Sequence, residues 1–451
     1  MKPLPRATIR RVTRIITTAD HIVSALAGHL GNVCILDSCG VASAEPSLLV
    51  AGIEPVEVLK LGGTDIDETL REFDAAMAKD GLAAIFTISY DLGPRLLGLP
   101  IPSVPTKDEP DLFIALFDTL LIHDHRTGET EILGDPKLSH RLAGMLKEHS
   151  ASQIHFREPV EGAITARSNF TRAEYVKAVE TIKESIRDGD TYQTNLTQKI
   201  TVGPIQRLEP YNVFQRLRSD HPARFAAYLD RGETTVVSAS PEQFVRIDSL
   251  NGGRIIASPI KGTRRRGTTP AEDDRLRKDL VESEKDRAEN TMIVDLTRND
   301  LGRICEFGSV EVAEHCQVEE HRSLFHLVST VRGRLRPGLN HSDILRAVFP
   351  CGSITGAPKI STMKIIAELE PESRGLSMGA IGCSIPPGRF GISERFEMSV
   401  AIRTMVFNED TVEFNVGGGI VIDSDPEQEY EESILKAKAL LKALNAKPPR
   451  H

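Results

Sequence analysis

Short apolar segments separated by turn-forming residues dominate the first 150 residues of the chain. The runs 32–36, 82–86 and 112–116 are five residues long and lie among stretches rich in Gly and Pro. Apolar runs of this length with such borders predict buried strands rather than helices. The passage 107–166 is otherwise polar and rich in His, which predicts a connection at the protein surface.

From residue 169 onward the pattern of polar and apolar positions becomes more regular. Thr171 and Glu174 are three residues apart at the start of an amphipathic segment, a spacing that predicts a capping box and a helix. The alternating segment 192–197 predicts a strand, and the apolar segment 234–238 predicts another.

One long charged helix is predicted over residues 271–299, with an apolar stripe formed by Ala288, Met292 and Leu296. Strands that look antiparallel are thus mixed with helices, without the strict alternation typical of parallel sheets. This order of elements indicates the α+β class.

The last predicted helix begins after Ser424 or Asp425, with Pro426 at its first position, where the missing N–H of proline costs nothing. Its apolar stripe consists of Tyr430, Ile434, Ala437 and Leu441. Two regions follow from the pattern: an N-terminal region over 1–150 and a better-patterned region over 169–446, expected to form one intertwined globular unit.

Composition excludes several classes of function. The chain has 451 residues, 40% hydrophobic and 26% charged, with a formal net charge of −9, which argues against a nucleic-acid-binding protein. Six scattered Cys without metal-ligand spacing predict free thiols in a reducing compartment. No apolar run approaches the ~18 residues of a membrane span, so we expect a cytoplasmic protein without a membrane partner.

Two acidic pairs are the first candidates for chemistry. Asp286 and Glu289 on one predicted helix, and Glu429 and Glu432 on another, are each spaced i, i+3 and therefore share a helical face. Carboxylates converging from two helices suit Mg²⁺, which takes a few carboxylates and keeps waters. Taken alone, such pairs are more often solvated helix faces.

A Gly-rich turn and a lysine are the other candidates. The segment 352–359 (Gly-Ser-Ile-Thr-Gly-Ala-Pro-Lys) leads into a helix, and its backbone N–H groups suit a carboxylate; its spacing does not match a nucleotide-binding phosphate loop. Lys261 stands between an apolar residue and Gly at the end of a predicted strand, where it could act as base or nucleophile. The alternative without a catalytic role is a surface lysine in a turn.

Seven segments in order resemble the chorismate-utilising enzymes, which include anthranilate synthase component I, aminodeoxychorismate synthase component I, and the isochorismate and salicylate synthases. The resemblance covers about 169–446, and residues 35–38 look like the start of the family's N-terminal region. It implies an α+β fold in which large antiparallel sheets pack as a sandwich with helices outside. The segments are 240–244, 259–264, 286–300, 326–331, 352–359, 401–404 and 417–421.

The resemblance also bears on the reaction. The isochorismate and salicylate branch activates water with a Lys where this chain has Thr194, so water addition is disfavoured. Lys261 resembles the lysine of aminodeoxychorismate synthase, whose amine attacks C2 of chorismate and expels the C4 hydroxyl before ammonia adds at C4. Anthranilate synthases usually carry a small or amide residue at that position.

Further roles are implied by the same resemblance. Glu242 corresponds to the general acid and base, and His326 to a histidine near the leaving oxygen. The implied Mg²⁺ ligands are Glu289 and Glu432, with Asp286 and Glu429 as further or water-mediated contacts. The implied substrate-binding residues are Thr355, Arg403, Gly418, Gly419 and Lys436.

Ser377 and Cys383 depart from the family pattern around its Gly-Ala-Ile-Gly turn, which bears on the shape of the pocket. No glutaminase signature is present, so the expected partner is a separate glutamine amidotransferase subunit that supplies ammonia. Two alternatives stay open: anthranilate synthase component I, alone or in a bifunctional subunit, and a non-catalytic chorismate-binding or regulatory protein.

Overall fold

The computed structural model describes residues 13–27, 32–41, 46–102, 104, 109–148, 164–205, 208–321 and 324–449. Within these ranges the chain forms two large sheets and 11 α-helices. The helices are α1 (Ala19–Ala27), α2 (Ile66–Met77), α3 (Leu92–Leu96), α4 (Pro136–Glu148), α5 (Arg172–Arg187), α6 (Pro210–Asp220), α7 (Pro270–Glu282), α8 (Glu284–Gly302), α9 (His341–Val348), α10 (Lys359–Leu369) and α11 (Pro426–Ala443).

The strands are mostly short. In chain order they are β1 (Thr13–Ile16), β2 (Val33–Asp37), β3 (Leu48–Ile53), β4 (Glu57–Leu61), β5 (Ala83–Ile88), β6 (Leu112–Phe117), β7 (Leu120–Asp124), β8 (Glu129–Leu133), β9 (Ile164–Ser168), β10 (Gln193–Val202), β11 (Phe225–Asp230), β12 (Thr235–Ser240), β13 (Gln243–Ile247), β14 (Arg254–Ser258), β15 (Ile260–Arg265), β16 (Glu311–Glu320), β17 (Leu324–Arg334), β18 (Gly356–Ala357), β19 (Ala380–Ile385), β20 (Arg395–Val400), β21 (Thr404–Phe407), β22 (Val412–Ile420) and β23 (Ala446–Lys447).

Both sheets are antiparallel apart from the short pairing of β9 with β23. The 13-stranded sheet runs β1-β8-β7-β3-β2-β11-β12-β21-β22-β10-β9-β23, with β18 also paired to β10; the 10-stranded sheet runs β15-β17-β14-β13-β20-β19-β5-β6-β4, with β16 paired to β17. Buried side chains from both sheets, such as Val50 and Leu229 from one and Phe113 and Ile381 from the other, form one apolar cluster between them. The α+β sandwich is therefore confirmed.

Strands from the first 150 residues lie inside both sheets rather than in a sheet of their own. β2 pairs with β11 in the larger sheet, with Ile35 opposite Tyr228. β5 pairs with β19 in the smaller sheet, with Ile85 opposite Cys383. β2 and β5 each gain a partner on their second edge only when the first 150 residues meet strands from the later part of the chain.

Several predicted elements are confirmed. The predicted runs near residues 33, 83 and 112 are strands β2, β5 and β6. Helix α5 begins with the predicted capping box, in which the Thr171 side chain and the Glu174 side chain each bond the other residue's backbone N–H. Helix α11 is capped by Asp425, whose side chain accepts from the Gln428 N–H.

Three expectations were wrong. The passage 107–166 is not a surface connection: it contains β6, β7, β8 and α4, and residues 149–163 lie outside the described ranges. The helix predicted over 271–299 is two helices, because the Ser283 side chain accepts from the Asp286 N–H and starts α8. Its stripe of Ala288, Met292 and Leu296 is not the buried face, since Asn290, Ile293 and Val294 are buried instead.

Strand β10 is buried along both faces, although alternation was predicted. Leu196 packs against Tyr175 of α5 on one face. On the other face the Thr197 hydroxyl donates to the Glu370 carboxylate beyond α10, at 2.9 Å. All six cysteines are free thiols. Within the described residues, no helix is both long and apolar enough to span a membrane.

Candidate active site

A cavity of about 700 Å³ opens between the ends of β10, β15 and β22 and the helices α8 and α11. Apolar side chains such as Ile354, Met378 and Ile402 form part of its wall. The structure brings ten of the predicted site residues to this cavity: Glu242, Lys261, Asp286, Glu289, His326, Arg403, Gly419, Glu429, Glu432 and Lys436. Residues 177 positions apart in the chain therefore share one pocket, from Glu242 to Gly419.

Glu242 lies in the short turn between β12 and β13 and is only 5% exposed. Burial raises the pKa of its carboxyl, and a hydrogen bond from the Ser353 side chain and the charge of Lys261 offset only part of that effect. Its Oε1 atom has no hydrogen-bond partner in the described part of the protein. A buried carboxyl with a raised pKa and an unpartnered oxygen is suited to exchange a proton with a bound molecule.

Lys261 reaches the same end of the cavity from β15. Its Nζ donates to the Ser353 carbonyl at 3.3 Å. The positive charge of Lys261 opposes the rise in pKa that burial causes at Glu242 and Glu289, and it helps to lower the pKa of Glu432. The amine is therefore within electrostatic reach of Glu242 and of both acidic helices. The surface-turn alternative is therefore wrong for Lys261.

His326 on β17 is buried and faces the cavity. Burial, the neighbouring His321 and the charge of Arg403 lower its pKa to about 3, so the imidazole is neutral at physiological pH. Its Nδ1 lies 2.9 Å from the Thr263 hydroxyl, which fixes the orientation of the ring. A neutral, oriented imidazole can bond a substrate oxygen without bringing a charge.

The two acidic pairs face each other from α8 and α11. Burial and the neighbouring carboxylates Asp286 and Glu429 raise the pKa of Glu289. Burial, and then Glu432, raise the pKa of Glu429. Burial also acts on Glu432, but Lys436 and Lys285 outweigh it and lower its pKa. Carboxylates that raise one another's pKa form a negative cluster that attracts a cation.

Mg²⁺ fits this donor set in one way. Asp286 is already paired with Arg264, whose Nη2 lies 2.9 Å from the carboxylate. In the described residues no three His, Cys, Asp or Glu side chains are grouped tightly enough to hold one ion by themselves. Mg²⁺ commonly takes one or two protein carboxylates and completes its shell with substrate oxygens and water. Glu289, Glu429 and Glu432 suit that arrangement.

An open strand edge supplies polar groups at the opposite wall. In the described strands β21 pairs with β22 only at 412 and 413, so residues 417–419 have β10 as their sole partner strand. Gly417 is required for steric reasons, because a Cβ there would clash with the Leu196 backbone carbonyl. A Cβ on Gly418 or Gly419 would meet only side-chain atoms, such as the ends of Glu429 and Gln193. Lys436 Nζ donates to the Gly417 carbonyl at 2.8 Å.

Arg403 completes this wall. No acidic side chain in the described ranges pairs with it, and burial lowers the pKa of its guanidinium. Its backbone φ is +50°, a left-handed conformation that turns the chain just before β21. A buried guanidinium without a protein counter-ion is suited to a carboxylate of a ligand.

Other predicted residues lie elsewhere. The Thr355 hydroxyl donates to the Cys351 carbonyl at 3.0 Å and does not line the cavity; Ser353 and Ile354 of the same turn line it instead. Gly418 does not line the cavity, although a Cβ at this position would point toward Glu429 and Lys436, which do. Lys359 of the Gly-rich motif is bound to Asp300 at 2.7 Å, so it is structural.

Three further sequence features are also clarified. Thr194 bonds Thr191 at 3.3 Å and does not line the cavity; its neighbour Asn195 does, and it carries no basic group either. Ser377 accepts from the Asn415 N–H at 3.1 Å, and Cys383 is buried between the sheets. Neither Ser377 nor Cys383 itself lines this cavity.

Sequence reasoning missed seven polar residues of the cavity: Asn195, Thr263, Arg264, Ser283, Lys285, Ser353 and Asn415. Ser353 lies inside the Gly-rich motif and Arg264 is the last residue of the Lys261 motif, so their positions were available. Nothing in the sequence marked Asn195 as a site residue. An Asn on a strand is common, and its environment is known only once the neighbouring strands are known.

Residues 37–442 match the family model described as chorismate binding enzyme. The chain therefore belongs to the chorismate-binding enzymes, as the ordered motifs predicted. It is similar to aminodeoxychorismate synthase component 1 of Bacillus subtilis, at 35% identity over 430 residues and 88% of each chain. It is also similar to an anthranilate synthase component 1 of Haloarcula marismortui, at 38% identity over 383 residues, 80% of this chain and 76% of that protein.

Solved structures agree on the fold. Anthranilate synthase component I from Streptococcus pneumoniae superposes with a TM-score of 0.72 at 28% identity, over 89% of this chain and 93% of that one. The menaquinone-specific isochorismate synthase from Escherichia coli superposes with a TM-score of 0.70, over 96% and 94% of the two chains. At 16% identity the latter shows a shared fold alone.

Proposed function

We propose that this enzyme is aminodeoxychorismate synthase component I, which converts chorismate and ammonia to 4-amino-4-deoxychorismate and water. The observation that carries the proposal is that Lys261 and Glu242 line the same cavity, close enough for the charge of Lys261 to act on the Glu242 carboxyl. An amine and a carboxyl of raised pKa in one cavity suit attack at one carbon and proton transfer to a leaving group at another.

The first half of the proposed reaction forms a covalent intermediate. The amine of Lys261, in its unprotonated form, attacks C2 of chorismate, the two ring double bonds shift, and the C4 hydroxyl leaves. Glu242 gives its proton to that hydroxyl, which departs as water, and then accepts a proton from the new C2 ammonium group. His326 is placed to orient the leaving oxygen as a neutral hydrogen-bonding group.

The second half reverses the displacement with a different nucleophile. Ammonia adds at C4, the double bonds shift back, and the Lys261 nitrogen leaves C2. The C4 ammonium loses one proton and the departing lysine takes one, with Glu242 as the relay. The enzyme returns to its starting state and the net exchange is hydroxyl for amine at C4.

The remaining residues hold the substrate. Arg403, the open edge at Gly419 and Lys436 are placed to bind its carboxylates. Glu289, Glu429 and Glu432 would hold Mg²⁺, which when bound supplies positive charge for a substrate carboxylate among these acids. Ammonia is proposed to come from a glutamine amidotransferase partner, in keeping with the component 1 names of its relatives.

Anthranilate synthase component I is the second candidate. Its support is the similarity to relatives of that name in Haloarcula marismortui and Aquifex aeolicus, each at 38% identity. In that reaction ammonia would add directly at C2, and Lys261 would have no covalent role.

Product analysis separates these functions. The purified chain is incubated with chorismate, Mg²⁺ and ammonium at alkaline pH, and the products are followed by chromatography with mass detection. We expect 4-amino-4-deoxychorismate without pyruvate release. Anthranilate with an equal amount of pyruvate would establish the second candidate, and no turnover would favour a non-catalytic chorismate-binding protein.

A further inference from the structure

One wall of the cavity carries a buried amide that the reaction scheme does not use. Asn195 on β10 lines the cavity and is 7% exposed. Its Nδ2 atom is inaccessible to solvent and has no hydrogen-bond partner in the described part of the chain. Buried side-chain donors are nearly always paired in folded proteins, and an unpaired one destabilises the fold.

The backbone of Asn195 is held on both sides. Its N–H donates to the Thr355 carbonyl at 2.8 Å, and its carbonyl accepts from Arg374 Nη2 at 2.7 Å. Arg374 is itself buried, pairs with Glu370 at 2.7 Å and also donates to the Ile354 carbonyl at 2.8 Å. These bonds tie β10 to the turn that carries Ser353, so the backbone that bears the unpaired amide is fixed in position.

The surroundings indicate which group would accept from this amide. Asn195 is the register partner of Gly419, at the open edge of β22. Arg403, a cation without a protein counter-ion, lines the same cavity. A fixed N–H donor beside an open strand edge and a free guanidinium suits an anionic oxygen.

We propose that Asn195 is a substrate-binding residue whose side-chain amide donates a hydrogen bond to a carboxylate oxygen of chorismate. This inference rests on chorismate as the substrate, which both candidate functions share, and not on which amine is formed. The product assay therefore tests the function separately from this contact.

Such a group has a signature that an ordinary structural Asn lacks. Its removal deletes an unsatisfied donor from the free enzyme, so folding loses no hydrogen bond while substrate binding does. Asn415 provides the matched comparison: it lines the same cavity, but its Nδ2 donates to the Thr197 hydroxyl at 3.1 Å. Truncation of Asn415 does break an internal hydrogen bond.

The test compares Asn195→Ala, Asn195→Asp and Asn415→Ala, with KM for chorismate and the melting temperature as readouts. We expect Asn195→Ala to raise KM about 10- to 100-fold, the loss associated with a hydrogen bond to a charged group, without lowering Tm. Asn415→Ala should lower Tm.

Asn195→Asp keeps the shape of the side chain and places a like charge beside the substrate carboxylate. At alkaline pH its KM should exceed that of Asn195→Ala. An unchanged KM in either Asn195 variant, or a KM for the Asp variant no higher than for the Ala variant, would overturn the proposal. If Asn195→Ala does not fold, the isosteric Asp variant alone decides between these outcomes.

Discussion

The Lys261→Ala variant should form 4-amino-4-deoxychorismate about 10³-fold more slowly than the wild type, since about 4 kcal/mol of barrier corresponds to that factor. The reason is the loss of the nucleophile for the first displacement. Added ammonium should not restore the rate fully, because the missing step precedes the attack of ammonia at C4. Steady-state rates with saturating chorismate and increasing ammonium measure this effect.

The covalent intermediate offers a second measurement on the same residue. Mass spectrometry of the wild type with chorismate and Mg²⁺, without ammonia, should detect a chorismate-derived adduct on the peptide that contains Lys261. Lys364 on the exposed face of α10 is the control, and its Ala variant should keep both the adduct and the rate. Turnover by Lys261→Ala at the wild-type rate would end the covalent mechanism and favour direct amination.

Glu289→Gln and Glu432→Gln should each lower turnover by about two to three orders of magnitude, because a metal-held carboxylate contributes several kcal/mol of charge stabilisation. Both variants keep the side-chain volume, so the fold should be preserved, and circular dichroism checks this. Turnover as a function of free Mg²⁺ is the main measurement, and a higher Mg²⁺ requirement is expected if any activity persists.

Glu431 is the matched control for this prediction. It lies on the same helix as Glu432 but points to the opposite side, where it pairs with Arg172 at 2.7 Å. Glu431→Gln should therefore keep the wild-type rate. Full activity of Glu289→Gln or Glu432→Gln in excess chelator would remove the metal assignment for these carboxylates.

The sequence predicted the catalytic end of the cavity better than its walls. Lys261, Glu242 and the two acidic pairs lie in ordered motifs, and the i, i+3 spacing follows from helix geometry alone. The approach of α8 to α11 is a tertiary effect that no local pattern contains. Asn195 escaped notice for the same reason, since its environment is made by the β22 register and by Arg374.

Errors in the fold have local explanations. Ser283 looked like one polar residue within a charged helix, yet its side chain caps α8 and divides the segment. The passage 107–166 looked polar because buried partners are hidden in sequence: His123 is 2% exposed and bonds the Thr130 hydroxyl at 2.9 Å. Polar residues that hydrogen-bond to one another across a hairpin can be buried, but their composition alone resembles that of a surface segment.

The interleaving of early and late strands has a consequence for how the chain can be divided. If residues 169–446 were produced alone, β11 would lose β2 and β19 would lose β5, leaving two six-residue apolar strands that each have one unpaired edge. Exposed strand edges of this kind recruit other chains. The complete sheets also require contacts between distant parts of the sequence, which makes folding slow and dependent on the whole chain. The candidate active site is thus not a transplantable module, because the sheets that carry it depend on strands from the first 150 residues.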